Sequence, residues 1–160
     1  MGKVNPKVHK LFKGEVQNRA FAMLSARLML KRVKAPDDVL WYSAWVEWEE
    51  FQKRKYAPMA QKYSLDQEPG FGAKLESFAG LWGSRLLSET AVMKYVLKET
   101  IKYVGQLEEL ASLAPEDEKP FFNYVVDQER VQVDALPFRI EGKSAEGADL
   151  LRAFMAKHTD

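Results

Sequence analysis

Residues 39–51 read VLWYSAWVEWEEF, and this stretch decides the fold class. Trp41, Trp45 and Trp48 recur at steps of four and three residues, which is the spacing of one face of an α-helix. No run of six or more residues elsewhere alternates apolar and polar side chains between turn residues, so strand signals are nearly absent. The sequence therefore predicts an all-α chain.

Helix-breaking residues divide the chain into five predicted helices. A kink or short break is expected at Gly80 and Gly83, because glycine is a poor helix former. Pro137 is expected to end the fourth helix, and Ser144 is expected to cap the fifth. Long helices with short connections pack as antiparallel neighbours, which predicts an up-down four-helix bundle with a short C-terminal helix. The expected ranges are about 6–33, 39–63, 73–113, 117–136 and 145–157, with one domain over 1–160, its bundle over about 5–140 and its C-terminal helix over about 144–158.

Composition excludes several classes of protein. The chain is 46% hydrophobic and 29% charged, which is typical of a globular domain. Its 24 basic and 23 acidic residues give no overall attraction to nucleic acid. It has no cysteine, no apolar N-terminal signal segment and no run approaching the ~18 uncharged apolar residues of a membrane span. We therefore expect a cytoplasmic protein with neither a nucleic-acid nor a membrane partner.

The candidate site residues are carboxylates and one amide at helical spacing. Glu47 and Glu50 on the second helix form one i, i+3 pair, and Glu129 and Gln132 on the fourth helix form another. Side chains three residues apart share a helix face, so each pair presents two oxygen ligands together. Buried carboxylates are costly unless they are paired, protonated or bound to a cation. Something is therefore expected to satisfy them, either a metal or a basic side chain.

The order of these residues resembles the ferritin-like superfamily of di-iron carboxylate bundles, in which two helices give one Glu each and two give a Glu-x-x-His pair. Residues 122–129, FNYVVDQE, are similar to that family's fourth helix. The resemblance covers helices one to four and implies a site for iron or manganese. Glu50 and Gln132 stand where the family has His, so the site is degenerate. The metal ligands that the resemblance implies are Glu47, Glu50, Glu99, Glu129 and Gln132, with Glu15 and Glu89 as weaker candidates.

The expected levels of the residues along neighbouring helices favour some candidate metal ligands over others. A hairpin turn near Pro115 brings Glu99, rather than Glu89, level with Glu129. A turn near residue 35 leaves Glu15 about two helical turns from the level of the second-helix pair.

Metal-free interpretations of the same residues remain open. The charge mixture around Glu47 and Glu50 is typical of a solvated helix face. Three arginines near the apolar stripes offer a core closed by ion pairs. Any of Arg19, Arg27 and Arg85 could neutralise Glu50, Glu89 or Glu129. We favour the metal-free version, because neither His position of the family carries an imidazole.

Three functions follow as hypotheses, and the sequence does not decide whether the protein is an enzyme. The first is an iron or manganese oxidase or peroxide-handling enzyme. The second is a metal-free binding or assembly module with a pocket lined by Trp45, Trp48, Trp82 and Met93, and the third is a haem-oxygenase-like bundle using His9. The tryptophans of the second helix offer more aromatic area than one small bundle is expected to bury, so a homodimer is expected through that helix.

Overall fold

The structure, a computed structural model, describes residues 5–70 and 88–159, and five helices make up most of these two ranges. No strand occurs in those two ranges, so the all-α prediction is confirmed there. The helices are α1 (Pro6–Arg32), α2 (Pro36–Lys62), α3 (Glu89–Leu113), α4 (Lys119–Ile140) and α5 (Ser144–Lys157). None of these helices is long and apolar enough to cross a membrane.

The third helix begins later than the sequence suggests. Ser88 has an extended backbone, and its hydroxyl accepts a hydrogen bond of 3.2 Å from the amide of Ala91, so it caps the start of α3. The prediction of one helix over 73–113 is therefore wrong at residue 88. The expected break at Gly80 and Gly83 lies outside the described residues.

The junction between α4 and α5 also differs from expectation. Pro137 lies inside α4 and does not end it, although proline removes one backbone hydrogen bond of the helix. The helix continues to Ile140, and the amide of Glu141 donates to the carbonyl oxygen of Pro137 at 3.0 Å. Ser144 is the first residue of α5 and does not cap it. Its buried hydroxyl instead donates to Asp37 at 2.7 Å and accepts from Arg139 at 3.0 Å, so it joins the start of α5 to α2 and α4.

Contacts across the bundle fix the direction of each helix. In the α1–α2 hairpin, Arg27 pairs with Glu50 near the turn and Phe12 packs on Tyr63 at the other end, so the two helices are antiparallel. In the α3–α4 hairpin, contacts of Arg139 with Glu89 and of Arg130 with Glu108 show the same relationship.

Helices α2 and α3, by contrast, run in the same direction. Tyr42 donates to Glu89 near the start of both helices, and further along each helix Tyr56 and Tyr103 both bond to Glu15. The expected up-down arrangement therefore holds within each hairpin and not between α2 and α3.

Two apolar clusters fill the bundle, one toward each end. The first includes Val8, Phe12, Tyr56, Leu110 and Phe122. The second is built on α2, where Trp41, Trp45 and Trp48 are all buried, and it includes Met93, Leu136 and Leu151. Because α5 packs on α2 and α4, one chain buries the whole tryptophan ridge. The premise that this ridge exceeds what one bundle can bury is therefore wrong, and the homodimer loses its predicted surface.

Arg139 closes one end of the bundle. Its guanidinium bonds to Asp37 at 3.0 Å, to Asp38 at 2.5 Å and to Glu89, and it lies 5.7 Å from the centroid of the Tyr42 ring. These contacts join the first turns of α2 and α3 to the last turn of α4.

Candidate functional site

Arg19 lies on α1 in a buried polar layer between the two apolar clusters. Its Nη1 donates to Glu49 Oε1 on α2 at 3.0 Å, and its Nη2 lies 3.4 Å from Glu129 Oε2 on α4. Its Nε lies 3.3 Å from Glu15 Oε1 on its own helix, an ion-pair contact without hydrogen-bond geometry. Three buried carboxylates from three helices thus meet one guanidinium, and we call these four residues the Arg19 cluster.

Glu15 is held from all sides of the bundle. The hydroxyls of Tyr56 on α2 and Tyr103 on α3 donate to its two carboxylate oxygens, each at 2.8 Å. The side-chain amide of Gln128 on α4 donates to Oε1 at 3.4 Å. Every long helix therefore contributes a group to this one carboxylate, and each of those side chains is fixed by packing around it.

Glu129 is satisfied by amides on its own helix as well as by Arg19. Gln128 and Gln132 donate to its Oε2 at 3.0 and 3.1 Å. Gln132 also donates to the side-chain oxygen Oε1 of Gln128 at 3.0 Å, which fixes both side-chain amides. Gln132 thus supports Glu129 by donating a hydrogen bond from its amide nitrogen, whereas a metal ligand in this position would have to face a cation with its oxygen.

Glu49 is only half satisfied. Its Oε1 accepts from Arg19 and from the indole nitrogen of Trp45 at 3.1 Å. Its Oε2 is buried and has no hydrogen-bond partner among the described residues. The same is true of the amide nitrogen of Gln52, whose oxygen accepts from Tyr124 at 2.7 Å. The α2 side of the cluster therefore holds unused hydrogen-bonding capacity.

Burial is the largest influence on the pKa values of Glu15 and Glu49 in the cluster. It raises the pKa of Glu15 and of Glu49 from 4.5 to about 7 in each case, against the opposing attraction of Arg19. For Arg19, burial alone lowers the pKa, but Glu49, Glu129 and Glu15 together raise it well above its ordinary value. The guanidinium is therefore always charged, while two of its carboxyl partners titrate near neutral pH.

A cavity of about 260 Å³ adjoins the cluster between α1, α2 and the segment that follows α2. Arg19, Glu49 and Tyr56 form its polar wall. Its apolar wall comes from α1, and charged side chains that include the ion-paired Lys53 and Glu68 surround its outer part. The α1 residues of the apolar wall are Val16, Ala20, Met23 and Leu24.

The structure brings only some of the predicted site residues together. Glu129, Gln132 and the weaker candidate Glu15 lie in or against the Arg19 cluster. The other candidates lie elsewhere and have other partners: Glu47 with Arg152, Glu50 with Arg27, Glu99 with Lys102, and Glu89 with Arg139 and Tyr42. Within residues 5–70 and 88–159, no group of three or more His, Cys, Asp or Glu side chains is arranged to hold a metal ion.

Helix phase explains the correction on α2. Successive residues are rotated by about 100°, so Glu47 lies about 200° from Trp45 and Glu50 lies about 200° from Trp48. Both carboxylates consequently face solvent, as the solvated-face interpretation predicts, and each is about half exposed. Glu49, four residues after Trp45, is the carboxylate that shares the buried face.

Other members of the site were not predicted from the sequence. On α3, Tyr103 takes the position that Glu99 was expected to occupy, one turn further along. Gln128 and Tyr56 were not recognised either, although both continue apolar stripes at steps of three or four residues. Arg19 was proposed as a partner of the buried carboxylates, and its contact with Glu129 confirms that pairing. Arg85 lies outside the described residues.

The expected aromatic pocket is nearly filled. A cavity of about 20 Å³ remains beside Trp41, Trp45 and Trp48, which is space for a water molecule and not for a cofactor. Trp82 lies outside the described residues. His9 packs beside Tyr63, with ring centroids 6.1 Å apart.

Comparison with protein-family models, with curated proteins and with solved structures gave no match.

Proposed function

We propose that this chain is a metal-free, ferritin-like helical bundle with a binding function, in which Arg19 takes the place of the metal ions. The observation that carries the proposal is the contact of one buried guanidinium with Glu15, Glu49 and Glu129. A cation shared by carboxylates of three helices is the electrostatic role that metal has in a di-iron bundle. Here a side chain of the protein performs that role.

The donor set does not fit iron or manganese. No histidine lies in the Arg19 cluster, and the amides of Gln128 and Gln132 donate to Glu129 instead of presenting oxygen to a cation. A positive charge about 4 Å from the guanidinium is opposed by roughly 4 kcal/mol per unit charge at an effective dielectric constant of 20. For a divalent ion this repulsive energy is twice as large. An iron or manganese oxidase is therefore the less favoured function.

Helix directions support the ferritin-like part of the proposal. Bundles of that superfamily contain one long crossover connection, which joins two helices that run the same way. Here α2 and α3 run the same way, and residues 63–88 separate them. The position of the polar layer, halfway along four helices, supports the same relationship.

The binding part of the proposal is supported by the cavity beside Glu49. A concave site with apolar walls and a few converging polar groups is the usual form of a small-molecule site. The cavity combines such walls with the polar side chains of Arg19, Glu49 and Tyr56.

Elemental analysis of the protein, purified without chelator and then incubated with Fe²⁺ or Mn²⁺ and desalted, tests the metal-free assignment. We expect substoichiometric metal in both cases. Retention of one or two ions per chain, lost in a Glu129→Ala variant, would overturn the assignment in favour of the metalloenzyme.

Assembly as a homodimer remains a prediction. Because the tryptophans of α2 are buried, a dimer needs another surface, and the most exposed large apolar side chains of the described residues are Tyr95 and Ile101 on α3. Light scattering at tens of micromolar decides between monomer and dimer.

A further inference from the structure

Exposed charges divide the outer face of α3 into two blocks of opposite sign. Lysines occupy the first half of this face, and glutamates occupy the second half. In chain order they are Lys94, Lys98 and Lys102, followed by Glu108 and Glu109. One further exposed acid, Glu99, pairs with Lys102 on its own helix at 2.9 Å, so Lys94 and Lys98 are the excess basic charge. The outer face therefore changes from basic to acidic along the helix.

The same face carries the two most exposed large apolar side chains of the described residues. Tyr95 is 52% exposed and Ile101 is 54% exposed. Successive residues are rotated by about 100°, so Tyr95 and Ile101 lie about 60° to either side of Lys98 on the helix surface. The aliphatic stem of that lysine extends the apolar surface between them. An exposed apolar patch bordered by charged side chains is typical of a contact surface.

A second copy of the chain is a partner whose charges match this face. Two copies of α3 that pack antiparallel place the basic half of each helix against the acidic half of the other, whereas a parallel pair would place lysine against lysine. The antiparallel pair has two-fold symmetry, so each contact occurs twice. With Lys94 opposite Glu109 of the second copy, the symmetry axis passes between residues 101 and 102. The two Ile101 side chains then meet beside the axis.

Contacts within the chain leave these charges available to a partner. Glu109 contacts Lys7 and Glu108 contacts Arg130, in each case through Oε1. Both pairs are about half exposed, and such surface pairs contribute little to stability and rearrange readily. A carboxylate accepts at both oxygens, so each glutamate is able to receive a second lysine.

Building on the predicted homodimer, we infer that a second copy of this chain docks on the outer face of α3 in the antiparallel direction, with Lys94 of each copy facing Glu109 of the other. Tyr95 and Ile101 form the apolar centre of this contact, and the charge blocks set its direction and register. Salt screens exposed charges, so the dimer is expected to weaken as ionic strength rises.

Charge reversal tests both the surface and the register. Lys94→Glu places two acidic side chains opposite each other at both symmetric contacts. It is expected to weaken dimerisation of the full chain at least about tenfold, or about 1.4 kcal/mol, in sedimentation velocity at low salt. Glu109→Lys is expected to have the same effect, because it places two basic side chains opposite each other. An equal mixture of the two variants is expected to form a heterodimer, since opposite charges then meet at both contacts.

Matched variants separate this surface from general effects of charge and polarity. Lys157→Glu makes the same change of charge on α5, which packs on α2 and α4, and is expected to leave dimerisation within about twofold. Ile101→Asp is expected to weaken the dimer at least about tenfold by placing a charge at the apolar centre. Leu150→Asp, at an exposed apolar residue of α5, is its control and is expected to leave the dimer intact.

The outcomes distinguish the docking surface from the homodimer itself. A wild-type dimer that persists in Lys94→Glu, Glu109→Lys and Ile101→Asp would overturn the α3 surface and leave the homodimer standing. A wild-type chain that stays monomeric at tens of micromolar in low salt would overturn both. Failure of the two charge variants to associate when mixed would overturn the pairing of Lys94 with Glu109. Metal analysis judges the metal-free assignment separately from all three results.

Discussion

Arg19 Nη1 lies 3.0 Å from Glu49 Oε1, and this hydrogen bond joins α1 to α2 at the middle of the bundle. Both side chains are removed from water, so neither charge is compensated by solvent. The same guanidinium reaches Glu15 and Glu129, and loss of Arg19 therefore leaves three carboxyl groups without their cation. The charge balance of the cluster therefore depends on this one residue, and so does the exclusion of metal that we propose.

Replacing Arg19 with Met is expected to lower the free energy of unfolding at pH 8 by roughly 3–5 kcal/mol, because a buried ion pair that loses one partner leaves an uncompensated charge. Arg27→Met is the control, since the Arg27–Glu50 pair is about half exposed and contributes roughly 0–1 kcal/mol. Urea denaturation measures the free energy of unfolding of both variants. Equal losses would contradict the account.

Acidification is expected to favour the wild type over a Glu49→Gln variant. Burial raises the pKa of Glu49 from 4.5 in the unfolded chain to about 7 in the folded protein. The folded state therefore keeps its proton over a range where the unfolded state has lost it, and the resulting stabilisation is complete below about pH 4.5 and lost as the pH rises through about 7.

The difference in unfolding free energy between wild type and Glu49→Gln isolates this effect from other titrations. It is expected to shift toward the wild type by on the order of 3 kcal/mol between pH 8 and pH 4.5. Glu15→Gln is expected to behave in the same direction, because burial raises the pKa of Glu15 similarly. A difference that does not change with pH would show that these carboxyls titrate normally.

The hydroxyl of Tyr103 is expected to contribute to stability through Glu15. Tyr103→Phe removes one of the two phenol donors to this buried carboxyl and is expected to cost roughly 1–3 kcal/mol. Tyr95→Phe, on the same helix and about half exposed, is the matched control and is expected to change stability by less than about 0.5 kcal/mol. Thermal or urea unfolding that ranks the two variants equally would argue against a structural role for the Glu15 network.

Close packing of α5 leaves no room for a side chain at Gly147, so any larger residue there is expected to destabilise the protein. A Cβ at Gly147 would lie 2.8 Å from the Trp41 ring and 2.9 Å from the carbonyl oxygen of Ala135, so Gly147→Ala is expected to destabilise by roughly 1–3 kcal/mol. Gly105→Ala is the control, because nothing lies within 4 Å of its Cβ position in α3. There, alanine is expected to stabilise by roughly 0.5–1 kcal/mol. Urea unfolding is expected to show a lower free energy of unfolding for Gly147→Ala and a higher one for Gly105→Ala. A stabilising Gly147→Ala would contradict the close packing of α5 on Trp41 and Ala135.

Apolar periodicity predicts the helices well, but the choice of buried carboxylate depends on the phase within one turn. The spacing of Trp45 and Trp48 identifies the buried face of α2, and Glu49 and Gln52 continue that face. An i, i+3 pair such as Glu47 and Glu50 shares a face too, but it is the opposite one. Phase relative to the largest apolar side chains would have selected Glu49 from the sequence.

Contacts between distant residues are the part that periodicity does not contain. Arg19 meets Glu129 across 110 positions of sequence, and the parallel direction of α2 and α3 brings Tyr56 and Tyr103 to the same carboxylate. Local patterns specify the face that each residue occupies, whereas helix direction and level decide which faces meet. Ser144 shows the same limit, because its tertiary contacts with Asp37 and Arg139 replace the expected cap.

The most direct test of the central claim is a crystal structure of the protein grown with Mn²⁺ or Fe²⁺, with anomalous scattering recorded for the metal. We expect electron density for the guanidinium between Glu15, Glu49 and Glu129, and no anomalous peak among these three carboxylates. One or two anomalous peaks within ~2.0–2.2 Å of these carboxylate oxygens, with the Arg19 side chain displaced, would contradict it.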